Sequence, residues 1–294
     1  MRQLQMDCTL DPDSFRAIAR LAYSESGLTL VEEKLSMIQS RLRHRLRALD
    51  LADFAVYSSF VCSDAGQAER RHMISALTTN VSHFFRERHH FDILAGTILR
   101  DALPRLRTGG RLRLWSAGCS NGQEACSMAM TLLETAPEVA DLDLRILATD
   151  IAPNVVAFAK EGRYAERLVA GIDKALLTRY FQQATDAAGT VYVATPALRS
   201  MIRYRELNLL SDWPMRNAID VIFCRNVVIY FDQVTQNRLW PRFRTILSPD
   251  GWLFVGHSER ITDPEAFGFQ IQGPTAYRPS DARCATPQTA KGKT

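Results

Sequence analysis

Apolar positions along this chain recur first with a helical and then with a mixed period. From residue 11 to about residue 77 the spacing is helical throughout. Phe15, Ile18, Leu21 and Ala22 share one face of a helix opened by Asp11-Pro12 and stopped at Gly27. Val31, Leu35, Ile38, Leu42 and Leu46 form a second stripe, and shorter helices are expected near Ala52–Val61 and Ala65–Leu77. A further helix near Arg88–Ala102 leads to the loop Thr108-Gly-Gly110, where the pattern changes. Leu112, Leu114 and Ser116 alternate with Arg111, Arg113 and Trp115, as a strand does. Small residues between Gly118 and Gly122 then break the run, and a helical period resumes through Cys126, Met130 and Leu133. Strands follow at Asp141–Thr149, Ile202–Leu207, Ala218–Cys224 and Trp252–Gly256. Helices are expected at Pro153–Glu161 and Gln233–Leu247, a turn at Ser248-Pro-Asp-Gly251, and a closing strand pair near Phe269 and Tyr277. Strands alternating with helices predict an α/β fold with a doubly wound, largely parallel sheet behind an all-α N-terminal domain.

One stretch breaks the alternation. Between Gly162 and Ser200 a helical Asp173–Tyr180 and short β-like runs, with a hairpin turn at Asp186-Ala-Ala-Gly189, are too long for a simple crossover. They predict an inserted β-subdomain. The expected division is therefore a helical domain over 1–78, a linker and helix over 79–110, and an α/β domain over 111–278 with the insertion at 162–200. A disordered tail rich in Pro, Ala, Thr and Lys is expected over 279–294.

A content of 46% hydrophobic residues in 294 is ample for packed cores, and a net charge of +4 is too small to imply nucleic acid by itself. No run has the apolar length of a membrane span, and the start Met1-Arg-Gln-Leu-Gln-Met-Asp7 lacks a signal-peptide core, so a cytoplasmic protein is expected. The six cysteines show no C-x-x-C spacing, which points to buried reduced thiols and no zinc site. Charge matters most on the second helix. Lys34, Arg41 and Arg45 fall on one face, Arg43, His44 and Arg47 widen it, and no acid occurs from Lys34 to Leu49. Such a run is either a solvated face or a docking surface for an acidic partner.

The strand–turn–helix at 111–133 carries the first chemistry. Glycines there let a ligand approach the backbone, the helix start offers unpaired N–H groups, and Asp150 ends the next strand where a ribose-binding carboxylate belongs. Gly118-x-x-x-Gly122 is not the dinucleotide pattern, so no pyrophosphate cradle is implied and an adenosyl cofactor fits better. Leu77-Thr-Thr-Asn-Val-Ser-His-Phe-Phe-Arg-Glu87 concentrates side-chain donors; as structure alone, Asn80 or Ser82 would cap a helix and both phenylalanines would pack inward.

This cluster stands beside Trp115-Ser-Ala-Gly-Cys-Ser-Asn-Gly-Gln-Glu124, Asp220-Val-Ile-Phe-Cys-Arg-Asn-Val-Val-Ile-Tyr-Phe-Asp232 and Gly251-Trp-Leu-Phe-Val-Gly-His-Ser-Glu259. With these four motifs in order, the chain closely resembles the CheR family of chemotaxis receptor methyltransferases over residues 10–278. The resemblance implies a Rossmann-like fold that binds S-adenosylmethionine, methylates glutamate side chains on the cytoplasmic helices of chemoreceptors, and is inhibited by the product S-adenosylhomocysteine. Carried over residue by residue, it implies that Asn80, Ser82 and Arg86 reach the cofactor and that Glu124 binds its methionine part. Asp150 would bind the ribose, and Asn208-Leu209 with Arg225-Asn226 would complete the pocket beside Gly118. Ser82 stands where threonine is common in the family; the hydroxyl is kept.

Arg86 and Tyr230 are the candidates for the methyl-accepting end, Arg86 as a forked donor to the incoming carboxylate and Tyr230 as a hydroxyl beside the methyl. Each has a plainer reading, Arg86 as a partner of Glu87 or a helix end, Tyr230 as core, Glu124 as helix-dipole charge and Asn208 as a loop cap. Given the resemblance, Lys34, Arg41, Arg43, Arg45 and Arg47 would dock on the acidic receptor bundle. The inserted subdomain grips a receptor C-terminal peptide in some relatives, but the short Asp186–Gly189 loop speaks against such a tether here. A monomer is expected. A catalytically idle cofactor-binding adaptor is the alternative to an enzyme.

Overall fold

The computed structural model describes residues 9–282 apart from Thr79, Ala188 and Asn217. Four helices come first: α1 (Pro12–Ser26), α2 (Leu35–Ala48), α3 (Phe54–Cys62) and α4 (Gln67–Leu77). Asp11 caps α1 by accepting from the backbone N–H groups of Asp13 and Ser14, and Gly27 ends it at φ 71°. α3 starts two residues later than its apolar pattern suggests, because Asp53 is its N-cap and accepts from the Val56 N–H. Phe15, Ile18, Ile38, Leu42, Leu46, Tyr57 and Met73 close a separate core between these helices.

Asn80 and Ser82 cap no helix. Residues 80–88 run as irregular turns, and the next helix begins only at α5 (His89–Ile93). The reason lies in the two phenylalanines, which go to different places. Phe84 packs edge-on against Tyr164 and Phe181, whereas Phe85 packs against Phe91 with a left-handed backbone, φ 54°, that breaks any helical path. A π-helical turn, Leu94–Leu99, joins α5 to α6 (Arg100–Arg107). This helix outruns its expected end at Ala102 and contains Pro104, which is tolerated because Pro104 and the carbonyl it cannot bond, that of Arg100, are on exposed residues.

The α/β part contains β1 (Leu112–Ala117), α7 (Gln123–Thr135), β2 (Leu144–Asp150) and α8 (Pro153–Glu161). Then come β3 (Arg163–Ala165), α9 (Glu166–Val169), α10 (Lys174–Tyr180), β4 (Phe181–Asp186), β5 (Gly189–Ala194) and α11 (Pro196–Ser200). It ends with β6 (Ile202–Glu206), β7 (Ile219–Cys224), α12 (Gln233–Ile246), β8 (Leu247–Val255), β9 (Phe269–Gly273) and β10 (Ala276–Pro279). The main sheet has the order β6-β2-β1-β7-β8-β10-β9, parallel from β6 to β8 and antiparallel beyond. Both of its faces are covered, one by the core around Leu114, Ile146, Val221 and Met128, the other by Trp115, Ile222, Trp240 and Phe243. The expected turn Ser248–Gly251 is absorbed as an irregularity in β8: Ile219 faces Leu247 while Val221 already faces Trp252. β3, β5 and β4 form a separate antiparallel sheet whose hairpin closes with Asp186 opposite Gly189.

Two expectations need correction. The first residues of the tail are ordered: Pro279 belongs to β10, the Ser280 N–H bonds the Gly268 carbonyl, and Asp281 pairs with Arg244 at 2.5 Å. The rest of the tail lies outside the described residues. Cys119, Cys126 and Cys224 are buried free thiols, but Cys62 is exposed at the end of α3; Cys8 and Cys284 lie outside the described residues. Among the described residues no helix is long and apolar enough to cross a membrane.

The helical part leans on the sheet's carboxyl edge. The Tyr23 hydroxyl donates to Asp232 at 3.0 Å, the Asn208 amide to the Glu25 carbonyl at 2.7 Å, and the Thr29 N–H to the Tyr230 carbonyl at 2.9 Å. Gly27 is required by its left-handed backbone, φ 71°, and a Cβ there would also have to displace the Leu210 methyl.

Candidate cofactor and methyl-transfer site

β1 lies between β2 and β7, so the chain leaves β1 towards one side of the sheet and returns on the other. The crevice at such a switch point, outside the carboxyl ends of the strands, is where doubly wound folds bind ligands. A cavity opens there. Asn80, Ser82, Arg86, Gly118, Glu124, Asp150, Asn208, Leu209, Arg225, Asn226 and Tyr230 all line it. Those positions span Asn80 to Tyr230 in sequence, and no local signal brings them together.

Each wall has a local cause. At Gly118 the backbone takes φ 99°, and a Cβ would run into the Val227 side chain; its N–H and that of Cys119 both bond the Thr149 carbonyl at 2.8 Å. This ties the end of β1 to the end of β2. Ser120, also left-handed at φ 49°, donates its N–H to Asp150 Oδ2 at 2.8 Å, while Oδ1 accepts from the Ala152 N–H at 3.0 Å. Burial pushes the Asp150 carboxyl above its ordinary value, opposed by those N–H groups. Its two oxygens keep acceptor capacity towards the cavity.

Glu124, in the first turn of α7, accepts from the Ser116 hydroxyl at 2.6 Å and from Arg225 Nη1 at 3.0 Å. Burial raises its pKa, with Arg225 and then Ser116 working against that rise. Arg225 itself is 5% exposed. It lies over the rings of Phe91 and Phe223, reaches Glu87 Oε2 at 3.3 Å, and donates to the Arg86 carbonyl. Glu87 was not singled out from the sequence. Its other oxygen accepts the His257 N–H at 3.0 Å and faces the His257 ring at 3.1 Å. Burial would raise the Glu87 carboxyl, but Arg225, His257 and His90 together hold it below its ordinary value. Glu259 is a second residue unassigned from sequence. It is 3% exposed and accepts from the Asn226, Gly256 and Ile229 N–H groups, which fixes the loop that carries Asn226, at φ 59°, and Tyr230.

The helical domain supplies part of the wall through Ser26, Leu28, Ile74 and Thr78, which no sequence signal marked as site residues. Arg86 does not pair with Glu87. Among the described residues its side chain makes a single hydrogen bond, from Nη1 to the Val81 carbonyl at 3.2 Å, and forms no ion pair. The Tyr230 hydroxyl likewise has no hydrogen-bond partner among the described residues. Asn208 is a loop cap as well as a wall: its Nδ2 is held by Glu25 and its Oδ1 by the Leu210 N–H at 2.9 Å.

On α2 the cations separate. Arg45 is engaged by Glu69 of α4, at 2.7 Å from Nε and 2.6 Å from Nη2, and Tyr57 adds a third bond to that carboxylate at 3.1 Å. The acid that the local sequence lacks thus arrives from another helix, and Arg45 is not an uncompensated charge. Arg41 donates to the Leu77 carbonyl at 2.7 Å, Arg43 is half-buried, and Lys34 and Arg47 are exposed.

A sheet that is parallel up to β8 and closes with antiparallel strands, with carboxylates around a cavity at its switch point, is a Rossmann-like α/β arrangement, and the sequence matches place it in the class of S-adenosylmethionine-binding methyltransferases. Residues 13–78 match the CheR methyltransferase all-alpha domain and residues 80–275 the CheR methyltransferase SAM binding domain. The chain belongs to the CheR methyltransferase family. It is 44% identical over 258 residues to a probable chemotaxis protein methyltransferase of Rhizobium etli, covering 88% of this chain and 96% of the relative. It is 38% identical over 269 residues to chemotaxis protein methyltransferase 2 of Pseudomonas aeruginosa, covering 91% of this chain and 93% of the relative. With the chemotaxis protein methyltransferase of Escherichia coli it shares 37% over 276 residues, covering 94% and 93%.

Proposed function

We propose that this protein transfers a methyl group from S-adenosylmethionine to glutamate carboxylates of chemoreceptors, giving methyl esters. The observation that carries the reading is the placement of Arg86, without an ion pair among the described residues, on the same cavity as the carboxylates Glu124 and Asp150. The donor set fits the cofactor. Asp150 offers acceptors for ribose hydroxyls, Glu124 an anion for an ammonium group, and Leu28, Ile74, Leu209 and Val227 apolar surface for an adenine. When bound, the cofactor supplies an electrophilic methyl group on a positively charged sulfur.

The chain's own residues have a limited task. A glutamate with a reference pKa of ~4.3 is already ionised at neutral pH, so no general base is needed. Arg86 accompanies that carboxylate into the cavity, where an unpaired anion would be costly, and Tyr230 offers its hydroxyl beside the reacting oxygen. Alignment of the reactants supplies on the order of 7–11 kcal/mol of the barrier reduction in well-organised sites. The turn after β7, Arg225-Asn-Val-Val, is rich in donors, unlike the Asn/Asp-Pro-Pro-aromatic turn typical of amine-directed methyltransferases, and suits an anionic acceptor. Lys34, Arg43 and Arg47, with Arg41 behind them, would receive the acidic receptor helices.

The test is transfer of labelled methyl from S-adenosylmethionine to chemoreceptor-containing membranes, followed by mild alkali. Label released as methanol supports a carboxyl ester; alkali-stable label moves the acceptor to nitrogen. Cofactor binding without any transfer would favour the adaptor alternative.

A further inference from the structure

The methyl-transfer reading makes Arg86 a working group, yet Arg86 is poorly tethered by its own contacts. Its side chain has the one bond to the Val81 carbonyl and no ion pair among the described residues. Its backbone is held instead by both neighbours. Phe85 and Glu87, on either side, have left-handed backbones, φ 54° and 56°, which residues with a Cβ adopt only where surrounding contacts enforce it. Phe85 is enforced by its N–H bond to the Ser127 hydroxyl at 2.9 Å and by its ring against Phe91. Glu87 is enforced through its carboxylate: Arg225 at 3.3 Å, the His257 N–H at 3.0 Å and ring at 3.1 Å, with His90 Nδ1 at 3.6 Å. Arg225 closes the clamp by also donating to the Arg86 carbonyl.

We propose that Glu87 is a positioning residue for methyl transfer: it pins the turn on Arg225 and His257 and so holds the Arg86 guanidinium at the cavity. Glu87 does not itself line the cavity, whereas Arg225 and Glu124 do. Its side chain is 9% exposed, and a carboxylate so buried is a poor choice for stability alone, because an apolar residue of similar size would avoid the desolvation cost. Its reward is geometric: it is the anchor by which a segment more than a hundred residues away in sequence from Arg225 meets the carboxyl end of β7. The proposal rests on the methyl-transfer reading for the meaning of Arg86, but the anchoring itself can be read without it.

The experiment uses the full chain with Glu87→Gln and Glu87→Asp, alone and combined with Arg86→Lys. Four quantities are measured: hydrogen exchange of amides 84–88, melting temperature, affinity for S-adenosylhomocysteine by calorimetry, and kcat on receptor membranes. Glu87→Gln is expected to speed exchange in the turn about tenfold, lower kcat about thirtyfold and leave the affinity within about threefold. Glu87→Asp should fall between it and the native protein. In the Arg86→Lys background the same Glu87→Gln change should cost less than about threefold in kcat, because its effect passes through Arg86. Unchanged exchange in the turn would overturn the proposal whatever the acceptor is. Independent, multiplying losses would overturn it too, as would a large loss of affinity with kcat kept, which would route Glu87 through Glu124 instead. If Glu87→Gln does not fold, the decision falls to Glu87→Asp and its cycle with Arg86→Lys. Native protein that binds S-adenosylhomocysteine but transfers no alkali-labile methyl would sink the ester reading, while exchange would still decide the anchoring.

Discussion

Arg225 Nη1 stands 3.0 Å from Glu124 Oε2, and this pair joins the end of β7 to the first turn of α7 in the wall of the cavity. Glu124 is the more demanding partner. Burial raises its carboxyl above the ordinary 4.5 despite Arg225. A cofactor ammonium needs it ionised, so affinity for S-adenosylhomocysteine should weaken as pH falls, beginning above pH 4.5. Calorimetric titration from pH 7.5 to 5 checks this. Glu124→Gln should bind at least tenfold more weakly at pH 7.5 and show a shallower acid-side slope, the remainder coming from Asp150, whose carboxyl is also raised by burial. An undiminished slope in Glu124→Gln would assign it to another group.

His90 makes a prediction about stability. It is fully buried, its Nε2 is 2.9 Å from the Thr275 hydroxyl, and burial, then Arg225 and His89, lower its pKa from 6.5 to about 3. Between those values the unfolded chain binds a proton that the folded protein refuses. Stability contributed by neutral His90 is therefore complete above pH 6.5 and is lost progressively as pH falls towards 3. Urea unfolding of native protein and His90→Gln between pH 7.5 and 4.5 should show a steeper acid-side decline in the native protein. Parallel curves would count against the assignment.

How much of this was legible in sequence depends on the range of the contacts. Asp11, Gly27 and the Asp186–Gly189 hairpin act on neighbours a few residues away, and their signals are local. The parallel sheet follows from alternation alone. Glu87 and Glu259 sit inside conspicuous motifs, yet their roles are set by Arg225 and by Asn226, partners 138 and 33 residues distant. The helix expected after Asn80 fails for a similar reason, since Phe84 is claimed by Tyr164 and Phe181 from later in the chain. Ser26, Leu28, Ile74 and Thr78 carried no chemical signal because they line the cavity through the docking of one domain on another.

The separation of cations on α2 changes which substitutions test receptor docking. Glu69 is 4% exposed, so Arg45→Met leaves a buried carboxylate without its partner and should cost about 3 kcal/mol in chemical denaturation. Its effect on methylation would then mix folding with docking. Lys34→Glu and Arg47→Glu are on exposed positions and should change stability by less than about 0.5 kcal/mol. They should nonetheless raise the KM for receptor membranes at low salt, with the difference shrinking as salt is added. An unchanged KM at low salt in the double variant would remove α2 from the docking surface.

The last prediction separates room from ligand access at Gly118. The glycine could be needed for approach of a cofactor, but the structure gives two other reasons, φ 99° and the Val227 side chain where a Cβ would go. Gly118→Ala should therefore destabilise the protein itself, by about 1–2 kcal/mol for the left-handed backbone with a further cost from overlap. Adding Val227→Ala removes the overlap and leaves the backbone cost, so the double variant should regain part of the stability in urea unfolding without cofactor. If Gly118→Ala unfolds like the native protein while S-adenosylhomocysteine binds weakly, the glycine serves the ligand and not the packing of β1 on the loop after β7.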